Sequence, residues 1–183
     1  MKITETEIKD LLIIEPKVFE DSRGYFFESY SEKALKNQGI HLRFVQDNQS
    51  KSEYGVIRGL HYQKEPHAQS KLVRVLEGEI LDVALDLRKK SRTYGKWQAV
   101  KLSAENKKQL LIPKGFAHGF SVLSPVAIVL YKCDDFYHPE TETGILFNDL
   151  RLKIDWKIPV DKAIVSEKDE NLSSFNSSIH IFE

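Results

Sequence analysis

Apolar and polar residues alternate along the chain in several short stretches, most regularly over residues 81–88. The apolar positions are Leu81, Val83, Leu85 and Leu87, and the positions between them are Asp82, Ala84, Asp86 and Arg88. A period of two residues is typical of a strand that has one face on the core and the other in solvent. Residues 81–88 therefore predict a half-buried strand.

Other apolar stretches of strand length follow one another at short spacing. They cover residues 72–76, 80–87, 97–102, 109–112, 119–123 and 126–132. Glu77-Gly78 separates the first two stretches and predicts a hairpin turn between them. Many short strands in sequence are typical of an antiparallel sandwich or barrel. The predicted fold class is therefore mainly β.

Helix signals are few. Ser31 is suited to cap a short helix through Ala34 to Lys36, and Gly39 is suited to end it. A second short helix is predicted after Ser166. The tail after about residue 171 is rich in Ser and Asn and is predicted to be loosely held.

Length and composition predict one domain over residues 1–183. No internal repeat, low-complexity segment or Pro/Gly/Ser-rich linker divides the sequence. The 27 basic and 27 acidic residues give zero formal net charge, which argues against a nucleic-acid partner.

The length of the apolar runs and the number of cysteines exclude further classes of protein. The longest apolar run is far shorter than the roughly 20 residues that cross a bilayer, and the first residues form no signal-peptide pattern. The single cysteine, Cys133, excludes an intrachain disulfide framework and a thiolate metal cluster. We therefore expect a cytoplasmic protein without a membrane partner.

The densest group of polar residues lies between residues 44 and 71, in the string FVQDNQSKSEYGVIRGLHYQ and the loop after it. It contains Gln46, Asp47, Asn48, Arg58, His61 and Lys71. Positions three apart in a regular strand point to opposite faces, so Arg58 and His61 can act together only if the strand has a bulge at Gly59. The residues alone leave two interpretations open: a functional site, or a solvated loop followed by a core strand.

A second histidine, His118, lies in the string IPKGFAHGF, and it is either a structural residue or a ligand. A metal site of the cupin type requires a His-x-His pair and a carboxylate in its first motif. Tyr62 and Gln63 follow His61, so the pair is absent, and we predict no metal site.

Two further groups each have two interpretations. Tyr131 and Tyr137 lie at or after the end of the stretch that begins near Val126. A tyrosine at a strand end either packs against the core or donates a proton into a pocket. The segment Ser166-Glu167-Lys168-Asp169 alone predicts an ordinary helix cap on the surface.

Taken together, seven strings resemble the dTDP-4-dehydrorhamnose 3,5-epimerase family. They are FEDSRGYFFESY, FVQDNQSKS, VIRGLHYQ, KLVRV, PKGFAHGF, LYK and SEKD, in the expected order between residues 19 and 169. The resemblance implies a cupin-type jelly-roll barrel with a few short helices, a homodimer, and an epimerase that needs no cofactor.

The resemblance also implies roles for individual residues. His61 corresponds to the proton acceptor, Asp169 to the carboxylate that orients it, Tyr131 to the proton donor and Lys71 to the cation beside the keto oxygen. Tyr137 resembles the residue that stacks on thymine, and Glu142 and Lys168 resemble nucleotide contacts. The full predicted substrate-binding set is Arg23, Glu28, Gln46, Asp47, Asn48, Arg58, His118, Tyr137, Glu142 and Lys168.

These residue types suit proton transfer next to a ketone. The implied reaction converts dTDP-4-dehydro-6-deoxy-D-glucose to dTDP-4-dehydro-L-rhamnose by epimerisation at C3 and C5. The 4-keto group delocalises the charge left by the proton, histidine is a base near neutral pH, and a lysine ammonium can stabilise the enolate. The alternatives are an epimerase of C3 or C5 alone, a keto-isomerase of another deoxysugar pathway, a metal-dependent cupin, and a non-catalytic sugar-nucleotide-binding module.

Overall fold

The computed structural model describes residues 1–176 and 182, and most of its elements are strands. The strands are β1 (Lys2–Glu5), β2 (Leu12–Glu15), β3 (Phe19–Asp21), β4 (Gly24–Phe26), β5 (Gln46–Glu53), β6 (Ile57–Gln63), β7 (Lys71–Glu77), β8 (Glu79–Asp86), β9 (Trp97–Ser103), β10 (Gln109–Ile112), β11 (Phe116–Val122), β12 (Val126–Cys133) and β13 (Glu142–Gly144). The α-helices are α1 (Glu32–Lys36) and α2 (Glu167–Glu170), and Val160–Lys162 form a turn of 3₁₀ helix. The prediction of a mainly β chain with a few short helices is confirmed.

Two antiparallel sheets face each other across the core. Sheet I has the strand order β1-β2-β10-β7-β12-β5, and sheet II has the order β13-β6-β11-β8-β9. Val73 and Val129 of sheet I pack against Ile80 and Phe120 of sheet II in one buried cluster. The predicted jelly-roll barrel therefore has an apolar interior between two sheets, and side chains that face this interior from either sheet can meet.

The predicted hairpin at Glu77-Gly78 is wrong. Strand β7 pairs with β10 and β12 in sheet I, whereas β8 pairs with β9 and β11 in sheet II. Gly78 has a φ of 76°, and a Cβ atom there would lie 2.0 Å from the carbonyl oxygen of Val126. The turn therefore leads the chain from one sheet to the other, a feature that strand spacing along the sequence does not distinguish from a hairpin.

The expectation of a half-buried β8 is also wrong, because both faces of this strand are covered. Leu81, Val83 and Leu85 pack against a layer that includes Leu152 and Trp156 from the C-terminal part of the chain. The other face points into the barrel and carries Asp82 and Asp86, whose exposed fractions are 0%. The alternation therefore separates two buried faces instead of core from solvent.

Both predicted helices are present with the predicted caps. The Ser31 hydroxyl accepts a hydrogen bond from the backbone N–H of Ala34, and α1 ends one turn before Gly39. The Ser166 hydroxyl accepts from the backbone N–H of Asp169 at the start of α2. No helix in the part of the chain that the structure describes is long and apolar enough to cross a bilayer.

The described part of the tail is attached to the barrel, so the expectation that it is loosely held is wrong there. The backbone N–H of Leu146 donates to the carbonyl of Ser173, and the N–H of Phe175 donates to the Asp149 carboxylate. Phe182 is buried and its ring packs edge-on against Tyr62. The prediction for residues 177–181 and 183 lies outside the described residues.

Strands β3 and β4 pair with each other and form a hairpin separate from both sheets. Phe19, Tyr25 and Phe26 in this hairpin have exposed fractions of 54%, 59% and 71%. Singly exposed apolar residues are common on proteins, but a contiguous aromatic group of this kind is typical of an interaction surface.

Candidate active site

A bulge in β6 sets the direction of His61. His61 pairs with His118 of β11 and Arg58 pairs with Phe120, so Gly59 and Leu60 together oppose Gly119. Gly59 has a φ of 105°, which glycine adopts readily. The bulge at Gly59 that a joint action of Arg58 and His61 requires is therefore present, and it turns both side chains toward the same side of sheet II.

Asp169 in α2 holds His61 in place. The His61 Nε2 atom lies 2.8 Å from Oδ1 of Asp169, and the backbone N–H of Gly59 donates to Oδ2 at 3.0 Å. Burial alone would raise the pKa of Asp169, but the hydrogen bonds from His61, Gly59 and Ser166 hold this pKa below its usual value. Asp169 is therefore a buried, ionised partner of His61, and not the surface cap that its local sequence suggests.

His118 forms a second pair of the same kind with Asp82 of β8. Its Nε2 atom lies 2.5 Å from Oδ1 of Asp82, and both side chains are buried. Among the described residues, no hydrogen-bond partner reaches Oδ2 of Asp82. Asp82 was missed in the sequence, because the alternation in β8 placed it on a solvent face. Ala84, an apolar residue on the same face of β8, could have indicated that this face is buried.

Sheet I contributes Tyr131 and Lys71 from the opposite side. Burial raises the pKa of Tyr131 to about 12, so this phenol stays protonated at neutral pH. The Lys71 Nζ atom lies 5.7 Å from the centre of the Tyr131 ring, and burial lowers the pKa of Lys71. The Tyr131 ring also meets the His118 ring at a centroid distance of 6.5 Å. Tyr131 and Lys71, the predicted proton donor and cation, therefore lie together and close to His118.

A cavity of about 290 Å³ connects these groups. It is lined by Gln46, Asn48, His61, Tyr62, Gln63, Gln69, Lys71, Tyr131, Tyr137 and Glu142. Gln63 and Gln69 were not predicted as site residues. Gln63 could have been found, because it lies two residues after His61 in the same strand and so faces the same side.

The mouth of the cavity carries a hydrogen-bonded group made by Tyr137, Glu142 and Lys168. The Tyr137 hydroxyl donates to Oε2 of Glu142 at 2.8 Å, and Lys168 Nζ forms an ion pair with the same oxygen. Burial alone would raise the pKa of Glu142, but these two partners lower it. The Gln46 side chain accepts a hydrogen bond from the backbone N–H of Tyr137. The structure thus brings together the three residues predicted to contact the nucleotide.

Neither Arg58 nor Asp47 is among the residues that line this cavity. The Nε of Arg58 donates to Ser52 Oγ at 3.0 Å, and its charge lowers the pKa of Tyr131 against the effect of burial. Asp47 points to the opposite face of β5 from Gln46 and Asn48, where it pairs with Lys132 at 2.8 Å. Alternation along β5 thus explains why Asp47 is outside the cavity.

Arg23 and Glu28 are not brought to the cavity within one chain. Arg23 pairs with Asp21 in the exposed β3–β4 hairpin, at 2.6 Å between Nη2 and Oδ2. Glu28 follows the hairpin and lines a different, mainly apolar cavity with Phe19, Phe26 and Leu35.

Comparison with known proteins gives one consistent family. Residues 5–177 match the sequence pattern described as dTDP-4-dehydrorhamnose 3,5-epimerase. The dTDP-4-dehydrorhamnose 3,5-epimerase of Shigella flexneri is 54% identical over 176 residues, which cover 96% of each chain.

Two crystal structures agree with this match. The dTDP-4-dehydrorhamnose 3,5-epimerase from Elizabethkingia anophelis NUHP1 has a TM-score of 0.93 and 56% identity, covering 97% of this chain and 98% of that one. The dTDP-6-deoxy-D-glucose-3,5-epimerase from Legionella pneumophila Philadelphia 1, in complex with dTDP-4-keto-L-rhamnose, has a TM-score of 0.93 and 50% identity, covering 97% and 94%.

Proposed function

The chain belongs to the dTDP-4-dehydrorhamnose 3,5-epimerase family, and we propose that His61 and Tyr131 carry out the epimerisation from opposite sides of its barrel. The protein is an isomerase with a cupin-type β fold that needs no cofactor. It converts dTDP-4-dehydro-6-deoxy-D-glucose to dTDP-4-dehydro-L-rhamnose in rhamnose biosynthesis. The single observation that carries the residue assignment is that His61 of sheet II, held by Asp169 of α2, lines the same cavity as Tyr131 of sheet I.

Proton removal is the task of His61. C3 and C5 of the sugar flank the C4 ketone, so a proton lost from either carbon leaves a charge that delocalises onto oxygen. Histidine is a base near neutral pH, and the ionised Asp169 fixes its tautomer and favours the imidazolium that forms. Lys71 lines the same cavity, where its ammonium can stabilise the enolate; burial lowers the pKa of Lys71, and the negative charge of the enolate favours the ammonium form against that effect.

Proton return is the task of Tyr131. Inversion requires that the new proton arrive from the face opposite to the one that lost it. Tyr131 meets this requirement because it belongs to sheet I, whereas His61 belongs to sheet II. A phenol pKa of about 12 keeps the proton on Tyr131 until the carbanion needs it. The neighbouring Lys71 and Arg58 charges offset the phenolate that remains.

The nucleotide is bound at the mouth of the cavity. Tyr137 is half exposed and offers its ring to the base, while Glu142 and Lys168 hold the Tyr137 hydroxyl and border the same opening. Gln46 and Asn48 face the cavity from sheet I, where their amides can bind the sugar or diphosphate oxygens.

The active form is a homodimer in which the β3–β4 hairpin of one chain reaches the cavity of its partner. The exposed Phe19, Tyr25 and Phe26 support this arrangement, since a partner would bury them. Arg23 lies in the same hairpin, so the exchange would bring its guanidinium to the diphosphate, which it suits by bidentate geometry. The cytoplasmic location stays a prediction from the sequence.

One experiment tests the proposed function directly. The protein is incubated with dTDP-4-keto-6-deoxyglucose in deuterated water, and the exchanged carbons are located by NMR. We expect deuterium at both C3 and C5. Exchange at one carbon alone would instead identify a single-site epimerase, and no exchange would contradict a role in proton transfer.

A further inference from the structure

The loops that follow β6 and β12 bring three metal-binding side chains together outside the cavity. Within the described residues, His67, Asp135 and His138 each offer one ligand atom, and these atoms lie within 4.8 Å of one another. The exposed fractions of the three side chains are 33%, 28% and 31%, so an ion could reach them from solvent. Two imidazoles and one carboxylate form a donor set that suits Zn²⁺ and neighbouring divalent ions, with further positions open to water.

The amide side chains of Gln63 and Gln69 hold the backbone of both loops, and Gln63 is buried. The Gln63 amide nitrogen donates to the carbonyl of His67 at 2.6 Å and to that of Phe136 at 3.1 Å. Its carbonyl oxygen accepts from the backbone N–H of His138 at 2.7 Å. Gln69 adds a hydrogen bond to the carbonyl of Asp135 at 2.9 Å. The two histidines are thus positioned by one side chain that is 4% exposed, which is the kind of support that ligand sets require.

The three side chains lie close together, but at least one of the two stacked imidazole rings must rotate for both to bind one ion, because an imidazole binds a metal in its own plane. The His67 and His138 rings stack at a centroid distance of 3.5 Å, and His67 Nδ1 lies 3.4 Å from Oδ2 of Asp135. Ligand atoms around a tetrahedral Zn²⁺ are about 3.4 Å apart, so a separation at the 4.8 Å limit must shrink by about 1.4 Å. Glu140 lies outside this group of three, although its Oε1 is 3.0 Å from His138 Nδ1.

We propose that His67, Asp135 and His138 bind a divalent transition-metal ion of the zinc type, and that this ion fixes the loop that carries Tyr137. The site is separate from His61 and His118, whose sequence context lacks the His-x-His pair of a cupin metal site. Tyr137 lies directly before His138, and its backbone N–H and hydroxyl reach Gln46 and Glu142 at the cavity mouth. An ion bound at this loop therefore affects the nucleotide end of the cavity. This effect on the nucleotide end, unlike the metal site itself, rests on the proposed function.

Zinc titration tests the site without any substrate. Untagged full-length protein competes with a chromophoric chelator for Zn²⁺, and we expect one ion bound per chain. His138→Gln and Asp135→Asn should each weaken this binding at least tenfold. The control is His41→Gln, which removes an exposed histidine elsewhere and should leave the affinity unchanged. Absence of zinc binding at micromolar concentrations, or wild-type affinity in both ligand variants, would overturn the site.

Hydrogen exchange and kinetics test the effect on the loop. Saturating Zn²⁺ should slow amide exchange in a peptide covering residues 134–141 at least fivefold in the wild type and leave it unchanged in His138→Gln. The KM for the sugar nucleotide should fall at least threefold with little change in kcat. If zinc binds but neither quantity changes, the loop effect is wrong. If the protein has no epimerase activity, the proposed function fails, and the zinc titration still decides the site.

Discussion

His61 and His118 are directly paired residues of β6 and β11, and each is hydrogen-bonded to a carboxylate of its own. Asp169 holds His61 from α2, whereas Asp82 holds His118 from the adjacent strand β8. His61 is partly exposed and lines the cavity, but His118 is 6% exposed and lies beside the Tyr131 ring. The two pairs therefore have the same chemistry and different access to substrate, which lets mutation separate their roles.

The first prediction concerns the base. His61→Ala should abolish solvent-deuterium incorporation at both C3 and C5, because the group that removes the proton is lost. His118→Ala should slow the reaction but retain exchange at both carbons. NMR of the sugar nucleotide in deuterated water measures both variants. Retained exchange at either carbon in His61→Ala would show that another base acts there.

The second prediction concerns the proton donor. Tyr131→Phe should leave proton removal by His61 intact and lower the rate of inversion about 10²-fold, the usual scale for loss of a general acid. The ratio of deuterium exchange to epimerised product, followed by NMR, separates the two steps. Tyr54→Phe, at a tyrosine 39% exposed on another part of the surface, serves as the control. Normal inversion in Tyr131→Phe would refute the donor assignment.

The third prediction concerns the buried cation. Burial lowers the pKa of Lys71, so keeping its ammonium charged costs the fold free energy. Lys71→Met should therefore raise the stability by about 1 kcal/mol, or a few degrees in Tm, while kcat falls about 10²-fold or more. Thermal unfolding and steady-state kinetics measure both, with the exposed Lys51→Met as control. A lower Tm in Lys71→Met would mean that the ammonium stabilises the fold through its neighbours.

The fourth prediction concerns acid stability. The folded-state pKa of Asp169 lies below its usual value, so the carboxylate stabilises the fold above the pKa of an unfolded aspartate, about 3.9. That contribution is lost as the pH falls through the lowered folded-state pKa. Asp169→Asn should therefore be less stable than the wild type at pH 7, and the difference should shrink at pH 3. Urea unfolding at fixed protein concentration measures it.

The exposed Asp161→Asn is the control for this change, since its loss should have little effect at either pH. A difference between wild type and Asp169→Asn that stays constant with pH would show that the ionised carboxylate is not what stabilises the fold.

The fifth prediction concerns the homodimer. If the hairpin of one chain completes the cavity of the other, His61→Ala and Arg23→Ala damage different parts of the same shared site. Each variant alone should be nearly inactive, and a mixture reassembled from both should recover up to about a quarter of wild-type activity. On random reassembly, about half of the dimers contain one chain of each variant, and one of the two cavities in such a dimer has both residues intact. Sedimentation should give a dimer. No recovery on mixing would show that Arg23 acts within its own chain.

Local features of the fold could be predicted because each has a local cause. The strands follow from the short apolar stretches, and α1 and α2 follow from Ser31 and Ser166. Gly59 marks the position at which a bulge is required if Arg58 and His61 are to act together. The pairing of the strands could not be predicted, because a glycine such as Gly78 suits a hairpin turn and a turn that leads from one sheet to the other equally well. Pairing depends on contacts between distant residues.

The same limit applies to the site. Gln46, Asn48 and His61 lie in one polar stretch of the sequence, and the structure places all three in the lining of one cavity. The His118–Asp82 pair could not be predicted, because the sequence does not show that both faces of β8 are buried. Asp47 shows the converse, since its neighbours face the cavity and it does not. The cluster of His67, Asp135 and His138 is formed by two loops that are distant in sequence, so no local sequence motif indicates it.

The attachment of Asp169 to His61 spans 108 residues of sequence. A ribosome making this chain therefore completes β6, with its histidine, well before it adds the carboxylate that orients that histidine. In the proposed mechanism, the base and the carboxylate that orients it can therefore meet only after the strands of both sheets have been synthesised. A nascent or truncated chain that ends before α2 carries His61 without Asp169, so the proposed acid–base pair cannot form in it.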